Sequence, residues 1–177
     1  MIPYSDLYSK TQFPHYRKRA SWVKRMAKGS RVVDFGCGYG YVVKLLVEKK
    51  VNAFGVDINQ YALENSVIPK HTFTYLPLES TDFLVSWNVL DAVEDVASAE
   101  KLVQIFGIPE QSYHVLCTDD GRPEAENFKK EGFFIRSIEW WLERVADHVV
   151  LVDYYSGKPY NTNKELKMPL SWGLISK

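Results

Sequence analysis

Apolar residues recur along the chain with two different spacings. In the segment 14–28 they return every three or four positions, at Tyr16, Ala20, Val23 and Ala27, which is the spacing of an amphipathic helix. Further along, short continuous apolar runs end at glycine or polar residues, as is typical of buried strands. The pattern therefore predicts helices alternating with strands.

This alternation extends through most of the chain. The predicted helices are 14–28, 41–50, 59–67, 97–106, 123–131 and 138–146. The predicted strands are 31–35, 51–57, 72–76, 82–87, 113–118, 132–137 and 148–155. We therefore expect an α/β fold with a doubly wound, mostly parallel seven-stranded sheet, helices on both faces, and an antiparallel edge pair formed by the last two strands.

The length of 177 residues fits a single domain that spans 1–177. Within it we expect an N-terminal helical segment (1–30) and an irregular tail (156–177), which ends in an apolar segment that docks on the body. Lys and Arg number 22 and Asp and Glu number 22, so the chain lacks the global positive field of many nucleic-acid-binding proteins.

No apolar run approaches the ~20 residues of a membrane helix, and the N-terminus has no secretory pattern. The two cysteines, Cys37 and Cys117, are not spaced like metal ligands. We therefore expect a cytoplasmic protein with free thiols, no metal site and no membrane partner.

A glycine cluster, Gly36-Cys-Gly-Tyr-Gly40, stands between the first predicted strand and the next helix. Glycines at such a turn let the backbone reverse sharply and let a ligand approach it closely. The first N–H groups of the following helix favour a carboxylate or phosphate. Asp57 ends the second predicted strand, where an acidic side chain accepts hydrogen bonds from ribose hydroxyls. The pattern predicts a nucleoside-bearing ligand.

The glycine spacing narrows the choice of ligand. The dinucleotide fingerprint is G-x-G-x-x-G, but here the third glycine comes one residue early and Tyr41 stands where that fingerprint needs a small residue. This spacing disfavours a nicotinamide-dependent oxidoreductase. An acidic residue, Asp34, also lies two positions before the first glycine.

The run from Asp34 to Gly40 resembles motif I of the class I S-adenosylmethionine-dependent methyltransferases. The resemblance covers roughly residues 14–155, and its other matching segments are Gly55-Val-Asp-Ile58, Asp82 to Leu90 and Glu131-Gly-Phe133. It implies a Rossmann-like methyltransferase fold with S-adenosyl-L-methionine as cofactor.

The resemblance also implies roles for individual residues. Gly36, Cys37 and Gly38 would line the methionine moiety of the cofactor, and Asp34 would hold its amino group directly or through water. Asp57 would hold the ribose hydroxyls. Three of these residues have a simpler alternative: Asp34 could cap the following helix, Asp57 could be an incidental turn residue, and Cys37 could serve as a small packing residue.

Further roles follow for the adenine and the methyl group. Ile58 would pack on the adenine, and Leu76 and Leu78 would close its pocket. The residues that would lie beneath the sulfonium, near the methyl group, are Ser86, Trp87 and Asn88. Trp87 could equally be a core residue.

The sequence departs from the family pattern in two places. No acidic residue precedes the prolyl turn after the third strand, and Glu79 is a weak substitute for it. The loop after the fourth strand reads Asp91-Ala92 where many members have a Glu-His pair. We choose Asp91 as the candidate general base, although Asp also favours helix N-caps. The other candidate bases are His15, Tyr16 and Asp120. His114 and His148 lie in strand-like runs and are interpreted as structural.

Basic residues are dense before the glycine cluster. Arg17, Lys24 and Lys28 would share one helical face, with Lys18 and Arg25 beside them. This face is interpreted as a solvated surface; the alternative is a site for a phosphate-bearing substrate such as RNA.

Methyl transfer to an unidentified acceptor is the expected reaction, and the acceptor is expected to be a small molecule. One alternative is an RNA or protein methyltransferase that uses the basic N-terminal helix. Another is a non-catalytic S-adenosylmethionine-binding subunit. The loop at Ser86-Trp-Asn-Val lacks the Asn/Asp-Pro-Pro-Tyr/Phe run of amino-group methyltransferases that act on adenine or glutamine.

Overall fold

The computed structural model describes residues 13–106, 108–109, 111–117, 126, 129–130, 132–145, 150–153 and 171–176. The chain divides into two compact units, residues 1–86 and residues 87–177.

The first unit alternates helices and strands as the hydrophobic pattern predicts. Its helices are α1 (Phe13–Ala27), α2 (Tyr41–Glu48) and α3 (Gln60–Glu64). Its strands are β1 (Val32–Phe35), β2 (Ala53–Val56), β3 (Thr72–Phe73) and β4 (Phe83–Trp87), the last residue of which begins the second unit. Two 3₁₀ helices, Pro69–His71 and Leu78–Ser80, flank β3.

The four strands of this unit are parallel and lie in the order β3-β2-β1-β4. Val32 of β1 is in register with Ala53 of β2 and with Phe83 of β4. Because parallel strands end at one edge of a sheet, the turns after β1 and β2 come together there. We call this edge the cofactor edge. The prediction of an α/β fold with parallel strands is confirmed.

Helix α1 buries the apolar stripe that the sequence predicts. Tyr16, Ala20, Val23 and Ala27 are each at most 5% exposed. The Tyr16 ring stacks on that of Tyr41, the first residue of α2, at 5.4 Å between centroids. Near the opposite ends of the two helices, Lys24 Nζ donates a hydrogen bond to the Lys49 carbonyl (3.1 Å). The two helices therefore run side by side in the same direction.

The second unit contains α4 (Val96–Phe106), α5 (Ile138–Val145) and a 3₁₀ helix, Leu90–Ala92. Its strands are β5 (Gln111–Cys117), β6 (Val150–Asp153) and β7 (Ser171–Ser176). β7 lies between β5 and β6 and pairs antiparallel with both, with Gly173 opposite Val115 of β5 and Asp153 of β6. No helix in the described part of the chain combines the length and apolar character needed to cross a membrane.

Two predictions for the second unit are wrong. The segment 132–137 is not a strand: only Arg136 forms an isolated bridge, and Phe134 and Ile135 are buried in irregular backbone. The predicted irregular tail contains β7, so β6 pairs with β7 and not with 132–137. The physical reason is that an apolar run records burial and does not by itself choose a pairing partner.

Some predictions lie partly or wholly outside the described residues. Of the predicted helix 123–131, residues 126, 129 and 130 are helical and the others are not described. Residues 1–12, 154–170 and 177 also lie outside the described part of the chain.

Candidate cofactor site

A tight turn follows β1 at the cofactor edge. Gly36, Gly38 and Gly40 all have positive φ (75°, 54° and 76°), a backbone conformation that other residues adopt only with strain. The N–H groups of Gly36 and Cys37 both donate to the Val56 carbonyl, at 2.7 and 3.1 Å. These two bonds fix the start of the turn against the last residue of β2.

Asp57, directly after β2, holds the middle of the same turn. Its Oδ2 accepts a hydrogen bond from Gly38 N–H (2.7 Å), and its Oδ1 accepts one from Asn59 N–H (2.8 Å). The side chain is buried, with 5% of the residue exposed. The glycine turn and this carboxylate therefore face each other, and Asp57 has a structural role that the sequence analysis missed.

Asp34 lies in β1, two residues before the turn, and is 2% exposed. Its Oδ1 atom is buried without a hydrogen-bond partner. Burial raises the pKa of this carboxyl to about 7; the positive charge of Arg19 opposes that rise, and the negative charge of Asp57 adds to it. The influence of Arg19 was not foreseen from the sequence, because the two residues lie on different elements.

Asp34 does not cap the next helix, so that interpretation is wrong. The N-cap of α2 is Gly40, and no side chain accepts a hydrogen bond there. The first N–H groups of α2 therefore lack a side-chain cap and suit a carboxylate ligand. A buried carboxylate oxygen without a hydrogen-bond partner is costly, and a ligand ammonium group would remove that cost. Together the two features suit a ligand with the zwitterionic end of an amino acid.

Cys37 is a half-buried packing residue in the turn. A Cβ atom on Gly55 would come within 2.6 Å of the Cys37 sulfur, so this glycine makes room for the thiol. Burial raises the pKa of the thiol above its usual range, and the charges of Asp34 and Asp57 raise it further. The thiol therefore stays protonated and is a poor nucleophile. The sequence signal for the contact was a glycine inside a strand, which marks a close approach.

The predicted adenine residues follow β2 and β3. Ile58 is 90% exposed directly after Asp57, and Leu76 and Leu78 are half-buried on either side of Pro77. Ser86 is fully buried in β4 in register with Phe35, the last residue of β1. All four lie in the first unit, as does the glycine turn.

Trp87 and Asn88 belong to the second unit. Trp87 is 7% exposed, and its ring contacts the Tyr113 ring edge-on, with 5.8 Å between the ring centroids. Asn88 has a φ of 60°, and its N–H donates a hydrogen bond to the Val115 carbonyl (2.7 Å). Burial of Trp87 fits its interpretation as a core residue.

Asp91 lies in the 3₁₀ helix after β4, and its side chain is outside the described part of the chain. Its interpretation as a helix N-cap is wrong, because α4 begins after Asp95, whose carboxylate accepts from Ser98 N–H (2.8 Å). Of the other candidate bases, Tyr16 is buried in its stack with Tyr41. Asp120 and the side chain of His15 are not described.

His114 is buried in β5, and burial lowers its pKa to about 3, so its imidazole stays neutral. This agrees with its interpretation as structural; His148 lies outside the described residues. In the part of the chain that the structure describes, no three His, Cys, Asp or Glu side chains cluster as metal ligands would.

The sequence matches a family model described as a methyltransferase domain, over residues 10–161. A search of curated proteins by sequence gives no match. Among solved structures, magnesium protoporphyrin IX methyltransferase from Synechocystis PCC 6803, with bound SAH, is 14% identical with a TM-score of 0.67, covering 93% of this chain and 82% of that one.

Two further structures are similar. The PH0226 protein from Pyrococcus horikoshii OT3 is 12% identical with a TM-score of 0.69, covering 98% of this chain and 94% of its own. Geranyl diphosphate methyltransferase in complex with SAM is 13% identical with a TM-score of 0.63, covering 91% of this chain and 84% of its own. At such identities the likeness shows the fold alone.

Proposed function

Since the chain belongs to the methyltransferase domain family, we propose that it transfers the methyl group of S-adenosylmethionine to an acceptor molecule. The observation that carries this proposal is Asp34. A buried carboxylate with an unpartnered oxygen beside a glycine turn fits the ammonium group of the methionine moiety. Structural neighbours that contain SAM or SAH in this fold give further support.

The residues of the turn suit the remaining parts of that cofactor. The uncapped N-terminus of α2 would receive the carboxylate of the methionine moiety, and the backbone of Gly36, Cys37 and Gly38 would line it. Asp57 would accept hydrogen bonds from the ribose hydroxyls. Ile58 has an exposed apolar side chain that would pack on the adenine ring, with Leu76 and Leu78 closing the pocket.

When bound, the cofactor supplies a methyl group that is already activated for displacement. The chain's own contribution is alignment and exclusion of water, which can be worth roughly 7–11 kcal/mol in favourable cases. A base is needed only where the acceptor must lose a proton, and Asp91 is our candidate for that role. From the family resemblance we propose Ser86, Trp87 and Asn88 as the residues near the methyl group.

For the acceptor, we propose a small molecule. Two structural neighbours are named for small acceptors, magnesium protoporphyrin IX and geranyl diphosphate. The second candidate is an RNA or protein acceptor, and the observation that favours it is the exposed row of Lys and Arg on α1.

We also propose that the two units form one methyltransferase domain, residues 1–177. In it the strands of the two units would together make the seven-stranded sheet that the sequence predicts. The family match supports this, because it extends over both units.

Isothermal titration calorimetry with S-adenosylmethionine tests the cofactor. We expect Asp34→Asn to weaken binding about 100-fold, because removing one partner of a buried charge pair costs roughly 3 kcal/mol or more. The matched control is Asp82→Asn, which removes a half-buried carboxylate of the same unit that accepts from Arg31 N–H at the other edge of the sheet. Binding of NAD in place of S-adenosylmethionine, or equal affinity in both variants, would refute the proposal.

A radiolabelled-methyl assay against cell extract tests the acceptor. The extract is divided into small-molecule, RNA and protein fractions before the enzyme is added. We expect the label in the small-molecule fraction. Cofactor binding without label in any fraction would contradict methyl transfer and favour a non-catalytic binding subunit.

A further inference from the structure

The positive charge of this neutral protein is concentrated at one place. Between residues 13 and 50 the sequence holds ten Lys or Arg against two carboxylates, Asp34 and Glu48. Asp34 is buried, so Glu48 is the exposed carboxylate of this stretch. Because the whole chain has no net charge, the other residues carry an equal excess of negative charge. Helices α1 and α2 therefore form the basic part of the molecule.

Five of these cations form what we call the basic face of α1; four lie in the helix and Lys28 directly follows it. All are exposed: Arg17, Lys18, Lys24, Arg25 and Lys28. They lie away from the buried stripe of the same helix. Lys18, Arg25 and Lys28 form no ion pair with any carboxylate in the described part of the chain. Their charge is therefore available to a partner.

The basic face extends from the cofactor edge towards the other edge of the sheet. Helix α1 begins at the cofactor edge, where Tyr16 stacks on Tyr41. It ends near Lys49, whose carbonyl accepts from Lys24, and the exposed Lys50 follows there. From Arg17 to Arg25 the helix rises about 12 Å at ~1.5 Å per residue, and Lys28 directly follows its end. An extended anion on this face would thus have one end at the cofactor edge.

We propose that the basic face binds the phosphate backbone of a single-stranded nucleic acid. A nucleic acid strand has evenly spaced charges along a line, which matches a row of cations along a helix. Membrane insertion does not suit this helix, because its apolar stripe is buried against the protein. An acidic peptide would normally add apolar contacts, but Met26, at 38% exposed, is the one large apolar side chain exposed on α1 in its described part. Binding of the strand does not depend on the proposed function.

Fluorescence anisotropy with a labelled 20-nucleotide oligouridylate tests this proposal. If five phosphates are neutralised, log K should fall with log salt at a slope of about −3.5, or roughly −0.7 for each contact. The variant Lys18→Gln/Arg25→Gln/Lys28→Gln should flatten the slope by about 2. The matched control, Lys70→Gln/Lys101→Gln/Lys130→Gln, removes three exposed lysines elsewhere and should keep the original slope.

Several outcomes would overturn the proposal. One is the absence of oligouridylate binding at about 50 mM salt, where contacts to phosphates are strong. A second is an equal loss of oligouridylate affinity in the two triple variants. A third is an affinity for polyglutamate, or for vesicles containing phosphatidylserine, that equals the affinity for oligouridylate. Equal affinity for a thymidylate strand would support it, because the backbone phosphates are shared. If the triple variant fails to fold, Lys28→Gln alone should still flatten the slope by about 0.7.

The same assay separates this proposal from the proposed function. Asp34→Asn should abolish most cofactor binding and leave oligouridylate affinity unchanged, since Asp34 is buried. A chain that binds oligouridylate but not S-adenosylmethionine would refute the cofactor and retain the basic face. The reverse result would refute the basic face alone.

Discussion

Asp34 in the first unit and His114 in the second are both buried ionisable residues in strands, yet they differ in their surroundings. Burial shifts the pKa of each towards its neutral form. Asp34 also feels the charges of Arg19 and Asp57 and precedes a turn of left-handed glycines. For His114 burial is the sole cause of the shift. Burial alone therefore does not mark a site; nearby charges and an adjacent glycine turn do.

Two glycines, one in each unit, extend this comparison, and their substitution gives the largest expected effect on folding stability. Gly40 and Gly132 both have left-handed φ, 76° and 91°. A Cβ atom on Gly40 would lie 2.8 Å from Thr72 Cγ2, whereas one on Gly132 would meet no atom within 4 Å. Gly40→Ala should therefore cost roughly 2–5 kcal/mol of folding free energy, from backbone strain plus overpacking.

The control Gly132→Ala should cost about 1–2 kcal/mol, because only the backbone strain applies. Urea denaturation followed by circular dichroism measures both values. Gly40→Ala should also weaken S-adenosylmethionine binding, since Gly40 is the N-cap of α2. Equal costs for the two variants would mean that the turn at Gly40 relaxes freely, and would contradict a rigid binding turn.

The two buried ionisable groups should give opposite dependences of stability on pH. Asp34 has a raised pKa, so its contribution to stability is present below about 4 and is lost as pH rises towards 7. His114 has a lowered pKa, so its contribution is present above 6.5 and is lost as pH falls towards 3. Between pH 4.5 and 6, the two slopes should cancel in the wild-type protein.

Single variants expose these opposed slopes. Relative to wild type, Asp34→Asn should gain about 1.4 kcal/mol of stability for each unit of rising pH in this range. His114→Phe should lose the same amount for each unit. Urea midpoints at pH 4.5, 5.2 and 6 measure both slopes. If both variants shift with pH in the same direction, the surroundings assigned to one of the residues are wrong.

The two units also differ in how well the sequence predicts them. In the first unit, the buried stripe of α1, the glycine turn and the position of Asp57 follow from local spacing, and the structure contains all three. Periodicity and left-handed glycines are properties of neighbouring residues, so a sequence records them directly. The contact of Cys37 with Gly55 was not predicted, because it joins two elements.

In the second unit, the errors come from pairing across distance. β7 lies between β5 and β6, and its partner residues in β5 precede it by more than fifty positions. The segment 132–137 is apolar enough for a strand, but Phe134 and Ile135 are buried without one. Composition predicts burial, whereas the choice of a strand partner depends on the rest of the fold.

The smallest expected effect is on cofactor affinity. It distinguishes an exposed apolar residue that contacts the cofactor from one that does not. Ile58 in the first unit is 90% exposed, and Ile108 in the second is 48% exposed. Ile58→Ala should leave folding stability unchanged but weaken S-adenosylmethionine binding about fivefold, since partial burial of an isoleucine is worth about 1 kcal/mol. Ile108→Ala should leave the affinity unchanged. Calorimetry with adenosine alone would show which part of the cofactor Ile58 contacts. A fivefold loss of adenosine affinity in Ile58→Ala would assign Ile58 to the adenine. Unchanged affinity for both S-adenosylmethionine and adenosine would remove Ile58 from the cofactor site and leave its exposure unexplained.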